Sequence, residues 1–121
     1  MANTFKVVTF AAEPASAGTP YVMYTVASST TAVVLGLVLS NINTTAVTAE
    51  VELVSTTSSR GGANSVANGT SFLIKDVNIP TGSSLEILSG GKVVLEAGDK
   101  IQIDCSVADK LSGTLSIMEI T

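Results

Sequence analysis

Short apolar segments alternate with glycine-containing turns over residues 72–106, and this pattern limits the fold more than any other feature of the sequence. Within it, Ile101, Ile103 and Cys105 are separated by single polar residues. A period of two places alternate side chains on opposite faces of a β-strand, one face in the core and the other in solvent. The turns are marked by Thr81-Gly82, Ser89-Gly90-Gly91 and Ala97-Gly98-Asp99. The stretch therefore predicts antiparallel strands joined by tight turns.

The same patterns predict eight or nine short strands and no helix along the whole chain. The expected strands are 4–11, 21–27, 31–41, 47–54, 71–77, 84–88, 92–95, 100–106 and 113–120. The number of strands is nine if residues 92–95 form one and eight if they do not. Turn signals recur every ~8–12 residues, which is typical of antiparallel sandwiches and small barrels. We therefore predict an all-β fold with a single domain over residues 1–121, an antiparallel β-sandwich or jelly-roll-like barrel.

Three local expectations follow from the same patterns. Residues 31–41 are nearly all apolar, and their valine pairs and interior Gly36 favour a strand buried on both faces over a helix. Residues 47–54 and 71–77 should form a hairpin with the long loop 55–70 at its tip, and strand 4–11 is expected at a sheet edge.

The predicted core consists of Val33, Leu35, Leu37, Leu39, Val51, Leu53, Leu73, Ile87, Ile101, Ile103, Leu115 and Ile117.

The composition excludes several kinds of chemistry. The chain has no histidine, one cysteine and a net charge of −4, with Arg60 as its single arginine. Negative charge argues against nucleic-acid binding by counterion release, and a lone Cys105, expected to be a buried core thiol, allows no internal disulfide. Nucleophilic triads are excluded, and five aromatic residues are too few for a sugar-cleaving cleft. We therefore expect that the protein is not an enzyme and has no catalytic residue. We also expect no membrane segment, because the longest apolar run is too short to span a bilayer.

The acidic residues suggest a calcium site only weakly. Hard cations need six to eight oxygen ligands, and the sequence has no Asp-x-Asp-x-Asp-Gly cluster. We therefore expect no metal and no cofactor, and interpret the candidate ligands as solvated turn carboxylates. These candidates are Asp76, Glu96, Asp99, Asp104 and Asp109.

Several segments, in order along most of the chain, resemble small virion proteins of tailed phages, particularly those of marine and cyanobacterial hosts. The resemblance is carried by Tyr24-Thr25-Val26, residues 31–37, Ser40-Asn41, residues 72–80, residues 82–85, residues 92–99 and residues 117–120. Loop 55–70 is longer than is usual in that group. The resemblance implies an accessory structural part of the particle, such as a head decoration or cement protein or a neck or tail component. It implies a virion location after assembly in the bacterial cytoplasm, with capsid, portal, neck or tail proteins as partners.

Sparse charge and apolar residues outside the core register predict a homo-oligomer, a trimer or a higher ring. The residues expected at interfaces are Phe5, Val7, Phe10, Val54, Arg60, Leu88, Met118 and Ile120. The alternative is that these residues complete a second layer of the core. For function, the alternative is a tail-associated module that binds carbohydrate or a receptor.

Overall fold

The computed structural model describes residues 2–55, 69–88 and 91–121, and this part of the chain forms nine β-strands and no helix. The strands are β1 (Asn3–Glu13), β2 (Tyr21–Thr25), β3 (Thr31–Asn41), β4 (Val47–Val54), β5 (Thr70–Ile79), β6 (Ser84–Ile87), β7 (Val93–Leu95), β8 (Lys100–Cys105) and β9 (Leu111–Ile120). The predicted strands are confirmed, with bounds that differ by up to two residues.

The strands form two antiparallel sheets that pack face to face. Sheet I has the order β1-β9-β3-β6, with β7 also paired to β3, and sheet II has the order β2-β8-β4-β5. The chain changes sheet at every connection except β4 to β5 and β6 to β7. This alternation gives a jelly-roll arrangement in which β6 and β7 share one strand position. The predicted all-β sandwich is therefore confirmed.

The core lies between the sheets and follows the period-two pattern closely. Leu37 and Leu39 of β3 and Ile101 and Ile103 of β8 all belong to this core, and none of these side chains is more than 1% exposed. Leu53 and Leu73 are half-buried and pack against this core from sheet II. Cys105 is buried, as predicted. Most of the predicted core is thus confirmed, including Val51, Ile87, Leu115 and Ile117.

The prediction fails at Val33 and Leu35, for a reason visible in β3. Val34 pairs with Ile117 but Gly36 pairs with Ser116, so Leu35 is an extra residue in this strand. Such a β-bulge shifts the inward set from even to odd positions. Leu35 therefore faces outward and is 37% exposed. The prediction that this strand is buried on both faces is wrong, although it is central, between β9 on one side and β6 and β7 on the other.

Two other predictions about strand placement are confirmed. Strand β1 lies at the edge of sheet I, and β4 pairs with β5 as the expected hairpin. Most of the predicted 55–70 tip lies outside the described residues.

Candidate interaction surface

The outer face of sheet I carries an apolar row that crosses four strands. Phe5 of β1 pairs with Met118 of the neighbouring strand β9. On its other side Met118 pairs with Val33 of β3, and Val33 in turn pairs with Val94 of β7. Paired residues on neighbouring strands point to the same side of a sheet. These four side chains therefore form one continuous outer row, and Phe5 and Val94 at its ends are 72% and 57% exposed.

Next to this row, the bulge of β3 adds a second apolar group. Val7 of β1 is 65% exposed and lies opposite Ser116, while Leu35 stands out from β3. Together with Phe5 they line a shallow depression of about 260 Å³. We call the six residues Phe5, Val7, Val33, Leu35, Val94 and Met118 the apolar face. The bulge thus turns the Leu35 side chain outward and adds it to the apolar face, whereas a regular strand would place Leu35 in the core.

The outer face of sheet II has the opposite character. Lys75 binds Glu50 at 3.1 Å, Gln102 donates to Glu52 at 2.8 Å, and the Lys75 ammonium lies 4.6 Å from the centre of the Phe72 ring. The hydrogen bond to Glu50 is the main cause of the raised pKa of Lys75. The two outer faces therefore offer a partner very different surfaces.

A cleft of about 380 Å³ lies on the polar side and is lined by Glu50, Asp76 and Asp104, with Gly18 and Ser106 at its wall. Its carboxylates already have partners within the chain: Glu50 binds Lys75, and Asp104 Oδ1 accepts from the N–H groups of Gly18 and Cys105. Within residues 2–55, 69–88 and 91–121, no three His, Cys, Asp or Glu side chains are grouped to hold a metal ion.

One predicted solvated carboxylate is in fact buried. Asp99 is 0% exposed, and its Oδ2 accepts the Glu96 N–H at 3.0 Å across a tight turn. The same turn is held to the end of β2 by a bond from Val26 N to the Asp99 carbonyl oxygen at 2.9 Å. Asp99 is therefore a structural residue of this turn, and the interpretation that it is a solvated side chain is wrong.

A three-residue clasp joins the two sheets at one end of the sandwich. Tyr24 of β2 donates to Glu119 Oε2 of β9 at 2.6 Å, and Lys6 of β1 binds Glu119 Oε1 at 2.6 Å. The Lys6 bond and then the Tyr24 bond lower the pKa of Glu119. Burial, followed by the bond to Glu119, raises the pKa of Tyr24. The sequence offers no signal for this clasp, because its members lie on three strands and are up to 113 positions apart, from Lys6 to Glu119.

The predicted interface residues fall into three groups. Phe5, Val7, Met118 and Ile120 point outward from sheet I, the first three within the apolar face. Val54 and Leu88 are half-buried, and Leu88 packs against the core. Phe10 is 7% exposed and belongs to the core, where its ring contacts Tyr21 edge-on at 5.3 Å, so it offers little surface to a partner. Arg60 lies outside the described residues.

The part of the chain that the structure describes contains no helix long and apolar enough to cross a membrane.

No protein-family model matches the chain, and no curated protein matches it. Among solved structures, the chain is similar to one described as "Bacillus endospore appendages form a novel family of disulfide-linked pili". The two are 18% identical, with a TM-score of 0.47 over 99% of this chain and 87% of that one. A similarity of this size carries no argument about what the chain does.

Proposed function

We propose that this chain is a non-enzymatic structural subunit of a tailed-phage virion, a head decoration or cement protein or a neck or tail accessory protein. The sequence resemblance supports the virion assignment. The observation that carries a structural role is the apolar face, an exposed apolar surface on one sheet of a sandwich whose other outer face is charged. Jelly rolls occur in capsid proteins and in lectins, so the fold alone does not choose between these functions.

The exposure of the apolar face supports contact with another protein. Phe5 and Val7 are 72% and 65% exposed on neighbouring positions of one face, and Val94 is 57% exposed at the other end of the row. Monomeric proteins rarely expose large contiguous apolar surfaces unless a partner covers them. In the proposal, the apolar face packs on another subunit or on a capsid, portal, neck or tail protein, while sheet II faces water.

The proposal gives the chain no catalytic role. Its sequence has no histidine, and its one thiol, Cys105, is buried. The carboxylates best placed for chemistry, Glu50 and Asp104, are bound by Lys75 and by backbone N–H groups. In the proposal, the subunit forms a trimer or higher ring in the bacterial cytoplasm and works in the virion without nucleic acid, membrane or cofactor.

The polar cleft of sheet II favours a second candidate, a tail-associated module that binds carbohydrate or a receptor. Carboxylate and hydroxyl groups of Glu50, Asp76, Asp104 and Ser106 line it, and such groups hydrogen-bond to sugar hydroxyls. No aromatic ring lines this cleft among the described residues, although rings usually stack on sugars. Binding of the isolated protein to a glycan array, lost in Asp76→Ala, would favour this second function.

The test of the leading proposal uses two phenylalanines on opposite sheets. Phe5→Ser removes an exposed ring from the apolar face, and Phe72→Ser removes one that is 47% exposed on sheet II. Phages that carry each variant are purified, washed in high salt, and assayed for bound subunit. We expect Phe5→Ser to reduce the amount that co-purifies with particles and Phe72→Ser to leave it unchanged, with both proteins folded by circular dichroism. Equal retention of the two variants would contradict the role of the apolar face.

A further inference from the structure

Strand β1 presents a long edge that is not paired with any strand in the part of the chain that the structure describes. It runs over 11 residues, Asn3–Glu13, and among the described strands it is hydrogen-bonded to β9 alone. Alternate backbone N–H and C=O groups of an edge strand point away from the sheet and can pair with a strand of another chain. Proteins usually protect such edges with several lysines, a proline or a very short strand. Within β1 the only lysine is Lys6, which is bound to Glu119.

The charges of β1 select the partner strand. Its only charged residues are Lys6 near one end and Glu13 at the other. A second copy of β1 in antiparallel orientation brings Lys6 of each chain towards Glu13 of the other, whereas a parallel copy in register puts like charges together. Lys6 keeps N–H donors for such a contact, because an ammonium has three and Glu119 uses one.

The bulge in β1 makes this pairing geometrically consistent. Phe10 pairs with Gly113 and Glu13 pairs with Leu111, so β1 holds one extra residue between Phe10 and Glu13. Lys6 and Glu13 therefore lie on the same face of the sheet, although seven positions separate them. Without the bulge, an odd separation would place them on opposite faces and no antiparallel register would bring them together.

We infer that β1 pairs with β1 of a second copy, antiparallel, about a two-fold axis that passes beside Thr9. This register places Thr9 opposite Thr9 at the axis, and Val8 opposite Phe10 and Lys6 opposite Glu13 on both sides of it. Threonine pairs, apolar pairs and opposite charges are favourable cross-strand neighbours. The two copies of sheet I become one continuous sheet of ten strands.

This contact goes beyond the proposed function, because it involves the edge of sheet I and leaves the apolar face open. A two-fold contact closes on itself and yields a dimer. A larger assembly needs a second interface, which the apolar face would supply: rings built through that face would then be joined in pairs through β1.

Charge reversal gives a test with an internal rescue. Sedimentation velocity of the purified protein over micromolar concentrations is expected to show assemblies with an even number of subunits, a dimer or paired rings. In Lys6→Glu both charged residues of β1 are acidic, and in Glu13→Lys both are basic, so like charges face each other across the contact. The dimer of each variant should therefore dissociate at a protein concentration about tenfold higher than that of the wild type. Mixing the two variants pairs glutamate with lysine at both positions and should give a heterodimer, detected by native mass spectrometry with one chain isotope-labelled.

The controls separate this contact from folding and from the virion role. Lys6→Glu also removes the Glu119 partner, so circular dichroism must show that it folds. If it does not fold, Glu13→Lys carries the test, because the clasp of Lys6, Tyr24 and Glu119 does not include Glu13. A wild-type monomer, unchanged dimerisation of Glu13→Lys, or no heterodimer on mixing would each overturn the inference. Wild-type protein that stays monomeric yet co-purifies with particles would remove the β1 contact and leave the proposed function standing.

Discussion

Replacing Gly113 by alanine should destabilise the protein through one contact in the core. The Phe10 ring of β1 lies directly over Gly113 of β9, and a Cβ atom built there would be 2.2 Å from Phe10 Cε2. Ordinary contacts of this kind are 3.4–4 Å, so the ring must move by at least about 1.2 Å. Tyr21 limits this movement, because its ring packs edge-on against Phe10 at 5.3 Å.

The expected magnitude follows from the cost of forcing extra volume into a packed core. Such changes typically cost ~1–3 kcal/mol. For a domain of this size, each kcal/mol lowers the melting temperature by roughly 3–6 °C. Thermal and urea unfolding of Gly113→Ala should therefore show a melting temperature lower by roughly 3–18 °C.

Gly36→Ala is the matched control on the neighbouring strand. A Cβ atom at Gly36 would have no heavy atom within 4 Å, and this glycine does not have a positive φ. Alanine in such a position loses less conformational entropy on folding and should leave stability unchanged or raise it by ~0.5–1 kcal/mol. If Gly113→Ala were no more destabilising than Gly36→Ala, the packing of Phe10 on Gly113 would be refuted. A side chain smaller than phenylalanine at position 10 should relieve the clash. The double variant Phe10→Leu/Gly113→Ala should therefore lose less free energy of unfolding than the two single variants lose together.

Three further predictions concern the clasp and the thiol. Tyr24→Phe removes a hydrogen bond to a carboxylate and should lower the free energy of unfolding by ~1.5–3 kcal/mol in urea titrations; an unchanged midpoint would contradict the clasp. Because the pKa of Glu119 is lowered in the folded state, its contribution to stability is present above its unfolded pKa of ~4.3 and is lost as the pH falls through the folded value. Unfolding measured from pH 7 to pH 2 should show a shallower acid loss in Glu119→Gln than in the wild type. Cys105 should react with an aromatic disulfide reagent only as the chain unfolds, and rapid labelling of the folded protein would show that the thiol is not buried.

The sequence predicts the strands well because burial on one face leaves a period-two trace in each of them. The alternation of Ile101, Ile103 and Cys105 in β8 is an example, and all three are buried. The order of strands within each sheet is not written in this local pattern, since the pairing of β1 with β9 joins residues that are 98 to 117 positions apart.

The apolar face could be predicted only in part. Phe5, Val7 and Met118 are visible as apolar residues outside the core register. Leu35 and Val33 are not, because a regular strand through residues 31–41 puts them in the core. The interior Gly36 is the one signal of the bulge, since glycine within a strand often marks an irregularity of pairing. The pairing in the structure identifies the bulged residue as Leu35.

The measurement that tests the structural role most directly is a cryo-EM map of purified phage particles that carry this chain, at a resolution that separates strands. We expect the nine-stranded sandwich in ordered positions on the head, neck or tail. The apolar face, with Phe5 and Val94 at its ends, should be in contact with a neighbouring subunit, and the charged face of sheet II should point to solvent. Particles without this density, or with the apolar face open to solvent, would contradict the proposed function.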